Sequence, residues 1–157
     1  MKRDGYHLAE LNIGRLKAAP GSPEVAEFID NIDRINGLGK RSPGFVWMLE
    51  GSGEPNAGAT EHAIAGDPLL VPNLTVWENA ESLKAFAYKT VHSQFFKRRG
   101  EWFAPLGKPH FVMWWVPEGH RPTLAEALDR LEDLRQNGPS ARAFDWAGLA
   151  EEREGTP

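Results

Sequence analysis

"HFVMWWV", residues 110–116, is apolar at every position after its histidine, so a strand built from it has no face fit for water. "FVWMLE", residues 45–50, shares that character and reads as a buried central strand. Outward from these two, "YHLAELNI" (6–13) places apolar side chains at alternating positions and reads as a strand. "PLLVPNLTVW" (68–77) reads as another, with Pro72 requiring an edge position or a bulge.

Helical signals fall between the strands. Ser22-Pro23-Glu24 supplies a cap, a proline for the first turn and an acid, ahead of Val25, Phe28, Ile29, Ile32 and Ile35 at helical spacing; Gly37 and Gly39 close the segment. Glu78-Asn79-Ala80-Glu81 opens a long helix expected to run to about Phe103, where Pro105 and Gly107 stop it. Thr123 and Glu126 form a capping box for a last helix with Leu124, Leu128, Leu131 and Leu134 in one stripe. Residues 51–67, rich in glycine and alanine, read as a mobile loop that could serve as a lid.

The order β-α-β-β-α-β plus a C-terminal helix predicts an α+β, ferredoxin-like domain. Strands apolar on both faces further predict that a second copy covers the free sheet face, as a homodimeric α/β barrel. A chain of 157 residues suits one domain spanning 1–157, with a flexible polar tail from about residue 147. Phe144 and Trp146 are expected as its anchor points.

Composition narrows the function classes. A net charge of −4, with Lys97-Arg98-Arg99 the only basic cluster, gives no footprint for nucleic acid. The absence of cysteine excludes disulfides, thiolate metal sites and thiol nucleophiles. No segment has the twenty apolar residues of a membrane span and no signal peptide is visible, so no membrane association and a cytoplasmic location are expected. Six tryptophans and eight phenylalanines exceed what a small core needs and suggest a ring-lined cavity for an apolar or aromatic ligand.

Chemistry concentrates in "YKTVHSQFFKRRGEWF", 88–103. Wound as one helix, it sets Tyr88, His92, Phe95, Phe96, Arg99, Trp102 and Phe103 on one arc with His92 near the centre. A core histidine is one reading. A pocket residue is the other, with Tyr88 as hydrogen-bond partner, Arg99 as anion anchor, and Asn12, Asn73 and Trp77 or Trp114 facing them from the sheet. His7, His62, His110 and His120 fall into no metal-binding spacing. Gly51-Ser52-Gly53 lacks a phosphate-loop context, and no nucleophile elbow is present. Lys97-Arg98 reads as a solvated helix face.

Three blocks carry a family resemblance: 6–50, "LTVWENAESLKAFAYKTVHSQFFKRRGEWF" and "HFVMWWVPEGHRPTLAEALDRLEDL". Over about residues 6–145 the chain resembles the bacterial domain of unknown function 3291 (DUF3291). That family is placed among the dimeric α/β barrels, near antibiotic-biosynthesis and haem-degrading monooxygenases. The resemblance implies a monooxygenase-like oxidoreductase, haem-dependent or cofactor-free, or a non-catalytic dimer that binds a small ligand or haem. Haem-degrading members share a TVW strand end, a strand asparagine and a helix bearing a haem-ligating histidine. Thr75-Val76-Trp77 and Asn12 look similar. Counted from Trp77, the ligand position falls on Phe96, and His92 stands about one turn earlier. The resemblance therefore implies His92 as ligand to haem iron, with Asn12, Trp77 and Phe96 around the cofactor. In a cofactor-free enzyme His92 is implied as a base.

Overall fold

The computed structural model describes residues 1–58, 60–62, 64–90 and 92–154, and side chains through residue 150. Its centre is β1 (Tyr6–Leu16). This strand pairs antiparallel with β3 (Leu70–Trp77) on one side and with β5 (Phe111–Pro117) on the other. β2 (Phe45–Met48) adds to β3, and the two-residue β4 (Phe103–Ala104) pairs the far end of β1 beyond β5. The long strands run in the order β2-β3-β1-β5, the antiparallel ferredoxin-like arrangement that the sequence predicts.

Period-two alternation divides β1 between two layers. Ala9, Leu11 and Ile13 join Leu74, Val76, Val112 and Trp114 in a core covered by Ala127, Leu131 and Leu134 of α5 (Leu124–Asn137). Leu8, with Trp77 and Met113, faces α3 (Ala80–Lys89), whose Ala80 and Leu83 pack on them. At the far end Leu16, Val71 and Trp102 enclose Val25, with Phe28 and Ile29 of α1 (Ala26–Asp30) against them. Helices thus cover both sheet faces.

The expected barrel depended on a sheet face left open to a second copy. That premise does not hold, because α5 buries this face within the chain. Trp114 is fully buried there and its indole N–H donates to Glu126 of α5 at 3.0 Å.

Several expected elements differ. "FVWMLE" is an edge strand rather than a central one: it pairs only with β3, its register shifts between Phe45 and Trp47, and Val46 is 37% exposed. Pro72 sits opposite Ile13, beyond the last β2 partner of β3, so its missing N–H faces an open edge. The first helical segment divides at Asn31, where α2 (Ile32–Lys40) begins; the Asn31 side chain turns back to donate to Glu27 O.

The long second helix also divides. α3 stops at Thr90, whose backbone is extended and whose hydroxyl donates to Phe86 O at 2.6 Å. α4 (His92–Lys97) then starts with the His92 N–H donating to the same hydroxyl, and a short 3-10 turn, Arg99–Glu101, leads into β4. Phe103 belongs to β4, not to a helix face.

Where a flexible tail is expected from about residue 147, the chain instead forms α6 (Trp146–Glu154). Leu149 is buried with Phe144 and Trp115, which gives the segment an apolar hold. Phe144 also makes two backbone hydrogen bonds with Met113 and so shields the outer edge of β5. The 51–67 loop is tied to α2 by reciprocal Asp33 and Asn56 hydrogen bonds, and Ile64 is buried in the α5-side core. No helix among the described residues is long and apolar enough to cross a membrane.

Candidate functional site

On the sheet face opposite α5, beneath α1 to α4, the apolar cover is interrupted by one polar file. Glu10 lies opposite Thr75, and Asn12 opposite Asn73, at successive positions of β1 and β3. The next β1 position on this side is Gly14. A Cβ there would stand 2.5 Å from the Phe103 ring, so glycine is what lets that ring lie across the strand, edge-on to Phe28 at 4.8 Å.

The split helix arches over this file and leaves space beneath it. An outer chamber of about 400 Å³ opens between the sheet, α1, α2 and α4, with Phe28, Phe95, Phe96, Trp102 and Phe103 among its walls. An inner chamber of about 190 Å³ extends toward α3 and α6 and ends at Glu10 and Thr75. Asn12, Asn73, His92, Phe96 and His110 line both. The outer volume is within the usual range for small-molecule sites. The described residues of the 51–67 loop, expected as a lid, line neither chamber.

His92 is half-buried at the start of α4, its ring against Phe86 with centroids 4.8 Å apart. Its Nδ1 lies 3.1 Å from Ala87 O. A carbonyl only accepts, so Nδ1 carries the proton and Nε2 keeps its lone pair. Burial pulls the pKa below its ordinary value, outweighing the Ala87 hydrogen bond, and the ring is neutral at pH 7.

Other expected site residues are placed less uniformly. Asn12 and Asn73 face the space, and the Asn12 Oδ1 accepts from His110 Nδ1 at 3.0 Å. Phe96 forms part of the wall between the chambers, and Arg99 lies over its ring at 4.2 Å while donating to Phe96 O. Arg99 is exposed and lines only the outer chamber. Tyr88, 42% exposed, lies at the inner chamber, edge-on to Phe96; no described hydrogen bond joins it to His92, which bonds Ala87 O instead.

Two tryptophans expected near a ligand are core residues. Trp77 is fully buried, lines neither chamber and stacks on Phe86 with ring centroids 5.4 Å apart. Trp114 points to the opposite sheet face, toward α5. Arg98, expected on a solvated face, grips both carboxylate oxygens of Glu27 on α1 and also bonds Glu101, so it ties the α4 end of the arch to α1.

Glu10 is the group the sequence reading passed over. It is 5% exposed and accepts from Thr75 Oγ1 at 2.6 Å, while Thr75 Oγ1 accepts from Trp77 Nε1 at 2.8 Å. Burial raises its pKa from 4.5 to about 8, against the smaller lowering by the Thr75 hydrogen bond. The signal was present: once Asn12 faces the helices, the residue two positions earlier must face them too. His110, which falls into no metal-binding spacing in the sequence, also lines both chambers. Burial and the neighbouring Arg99 lower its pKa. Among the described residues, no three His, Asp or Glu side chains are grouped to hold a metal ion.

Together these features define an α+β ferredoxin-like domain with an aromatic-walled cavity between its helices and a polar file on its sheet. The chain belongs to the DUF3291 family (domain of unknown function), whose profile matches residues 7–156. No curated protein matches it. Among solved structures, it is similar to PA3566 from Pseudomonas aeruginosa, at 13% identity and a TM-score of 0.48 over 75% of this chain and 99% of that one. NE2512, a protein of unknown function from Nitrosomonas europaea, aligns at 12% identity and a TM-score of 0.49, over 77% and 97% of the two chains. SnoaB, a cofactor-independent oxygenase from Streptomyces nogalater, aligns at 16% identity and a TM-score of 0.47, over 76% and 98%.

Proposed function

We propose that this protein is a monooxygenase-like oxidoreductase acting on a flat aromatic small molecule, with His92 as the base. The observation that carries the reading is the Ala87 hydrogen bond, which commits Nδ1 as donor and leaves a neutral Nε2 as acceptor on a ring lining both chambers. His92 removes an acidic proton from a phenol or an activated methylene. The resulting anion reduces dioxygen, and for a methylene the balance is CH₂ plus O₂ giving C=O plus H₂O. Aromatic walls hold the rings of the substrate, Arg99 offers a positive charge at the outer chamber, and Tyr88 offers a hydroxyl at the inner one. The resemblance to antibiotic-biosynthesis monooxygenases supports oxygen chemistry over other base-catalysed reactions.

Oxygen uptake with anthrone is the direct test. His92→Gln is expected to lower kcat by about a hundredfold or more with KM little changed; an unaltered rate overturns the base assignment. The same hydrogen bond favours a second reading, because a carbonyl-anchored imidazole is also how proteins orient a metal-ligating histidine. The donor set fits haem to that extent: His92 Nε2 would take the iron, Phe96 would flank the macrocycle and Arg99 would pair with a propionate. Bound there, haem would supply oxygen activation. A Soret band on haemin titration that disappears in His92→Ala would support this reading; no band removes it.

A further inference from the structure

We propose that Glu10 is the second working group of the cavity, a carboxylic acid that donates a hydrogen bond to the carbonyl or phenolic oxygen of the ligand. The chamber would thereby select aromatic ketones and their enols. The assignment rests on the reading of this cavity as a small-molecule site.

The hydrogen bonds around Glu10 have a direction. An indole N–H can only donate, so the Trp77 Nε1 proton goes to Thr75 Oγ1, and the Thr75 hydroxyl passes its own proton to Glu10 Oε1. Oε1 is thus held as the accepting oxygen of the carboxyl group. The acid proton falls to Oε2, for which no described protein partner exists, on a side chain that lines the inner chamber. The rest of that chamber is formed largely by Leu83, Phe86, Phe111 and Trp146. The titratable groups facing it are His92 on α4, His110 before β5 and Tyr88 on α3, with no lysine, arginine or second carboxylate among the described lining residues. With no cation to hold a carboxylate, the neutral acid persists, in keeping with a pKa near 8.

Glu10 and His92 therefore meet one small space as a neutral acid and a neutral base, the division of labour that catalyses enolisation. His92 Nε2 takes the proton from the carbon beside a ketone. The C–H electron pair forms the new C=C bond, the carbonyl π pair moves to oxygen, and the Glu10 O–H holds that oxygen.

The probes are 9-fluorenone, which has a carbonyl but no proton to abstract, and fluorene, which lacks the carbonyl. Neither ionises between pH 6 and 10, and affinities are read by equilibrium dialysis. Wild-type protein is expected to prefer fluorenone by about tenfold at pH 6.5, the value of one buried hydrogen bond, with the preference fading as pH rises through 8. Glu10→Gln, still a donor but unable to ionise, is expected to keep the preference at every pH. Glu10→Leu is expected to abolish it while still binding fluorene. A preference that survives in Glu10→Leu, or one that is flat with pH in the wild type, overturns the assignment. Because fluorenone cannot be turned over, a positive result with no oxygen uptake on anthrone removes the oxygenase reading alone. If neither probe binds, the small-molecule reading falls and this assignment with it.

Discussion

Glu10→Gln also separates the cost of burying the carboxyl from everything else in the core. The folded protein holds the acid proton to about pH 8, whereas the unfolded chain releases it near 4.5. Between these values the folded state binds more protons, so stability falls as pH rises across that window and levels off above it. Glu10→Gln should remove this slope and be more stable than wild type at pH 8.5 by on the order of a few kcal/mol. Urea denaturation at several pH values measures it, and parallel slopes would show that the carboxyl is not buried as an acid. His92 acts with the opposite sign. Its folded pKa lies below 6.5, so its burden is absent above that pH and grows as pH falls. Below pH 6.5 His92→Gln is expected to lose less stability than wild type.

Two side chains set how the elements above the sheet are held. Thr123 caps α5 by accepting the Glu126 N–H at 3.1 Å, but the capping box is only half formed. The Glu126 carboxylate turns away from the cap and accepts from Trp114 Nε1 and His120 Nε2 instead. Thr123→Ala should therefore cost about 1 kcal/mol, the value of a single cap, in chemical denaturation. Arg98 joins the arch to α1 through Glu27, at an exposed position where such pairs contribute little to global stability. Its effect should be local: Arg98→Ala is expected to speed amide exchange in residues 92–101 with the melting temperature nearly unchanged. The division of the arch was hard to foresee from apolar spacing, which continues across it. The cue lay in Thr90 and Val91, two β-branched residues in mid-helix, with a threonine hydroxyl free to bond the carbonyl four residues back.

The succession of strands and helices and the alternation of β1 are legible because they are set by which residues avoid water, and that is written locally; the edge position of β2 is not, since its apolar run reads the same at a centre or an edge. The cavity beside His92 was legible for the same reason, since imidazole, guanidinium and amide groups among rings need partners. What hid was whatever depended on distant packing. Trp77 and Trp114 carry the same composition signal as a ligand-binding tryptophan, and only the tertiary arrangement assigns them to the core. The apolar stripe of α5 marks a helix that must pack on something, but only the tertiary arrangement shows that it packs on the sheet face the sequence reserves for a second copy. Ending the chain before Thr123 would bare Ala9, Leu11, Val112 and Trp114. Light scattering is expected to show that shortened chain in larger assemblies than the full chain at equal concentration, because an apolar sheet face of this size does not stay open to water.

The alternation of β1 bears on how such a protein can change. Positions 10, 12 and 14 line the chambers from the sheet, while the side chains at 9, 11 and 13 anchor the layer under α5. The walls of the chambers can be reshaped by point substitution at positions 10 and 12 with the hydrophobic anchor untouched, whereas any side chain at 14 would displace the Phe103 ring. An insertion or deletion of one residue within the strand is another matter: it would carry the acid into the oily layer and the aliphatic residues into the chamber, losing chemistry and fold in one step.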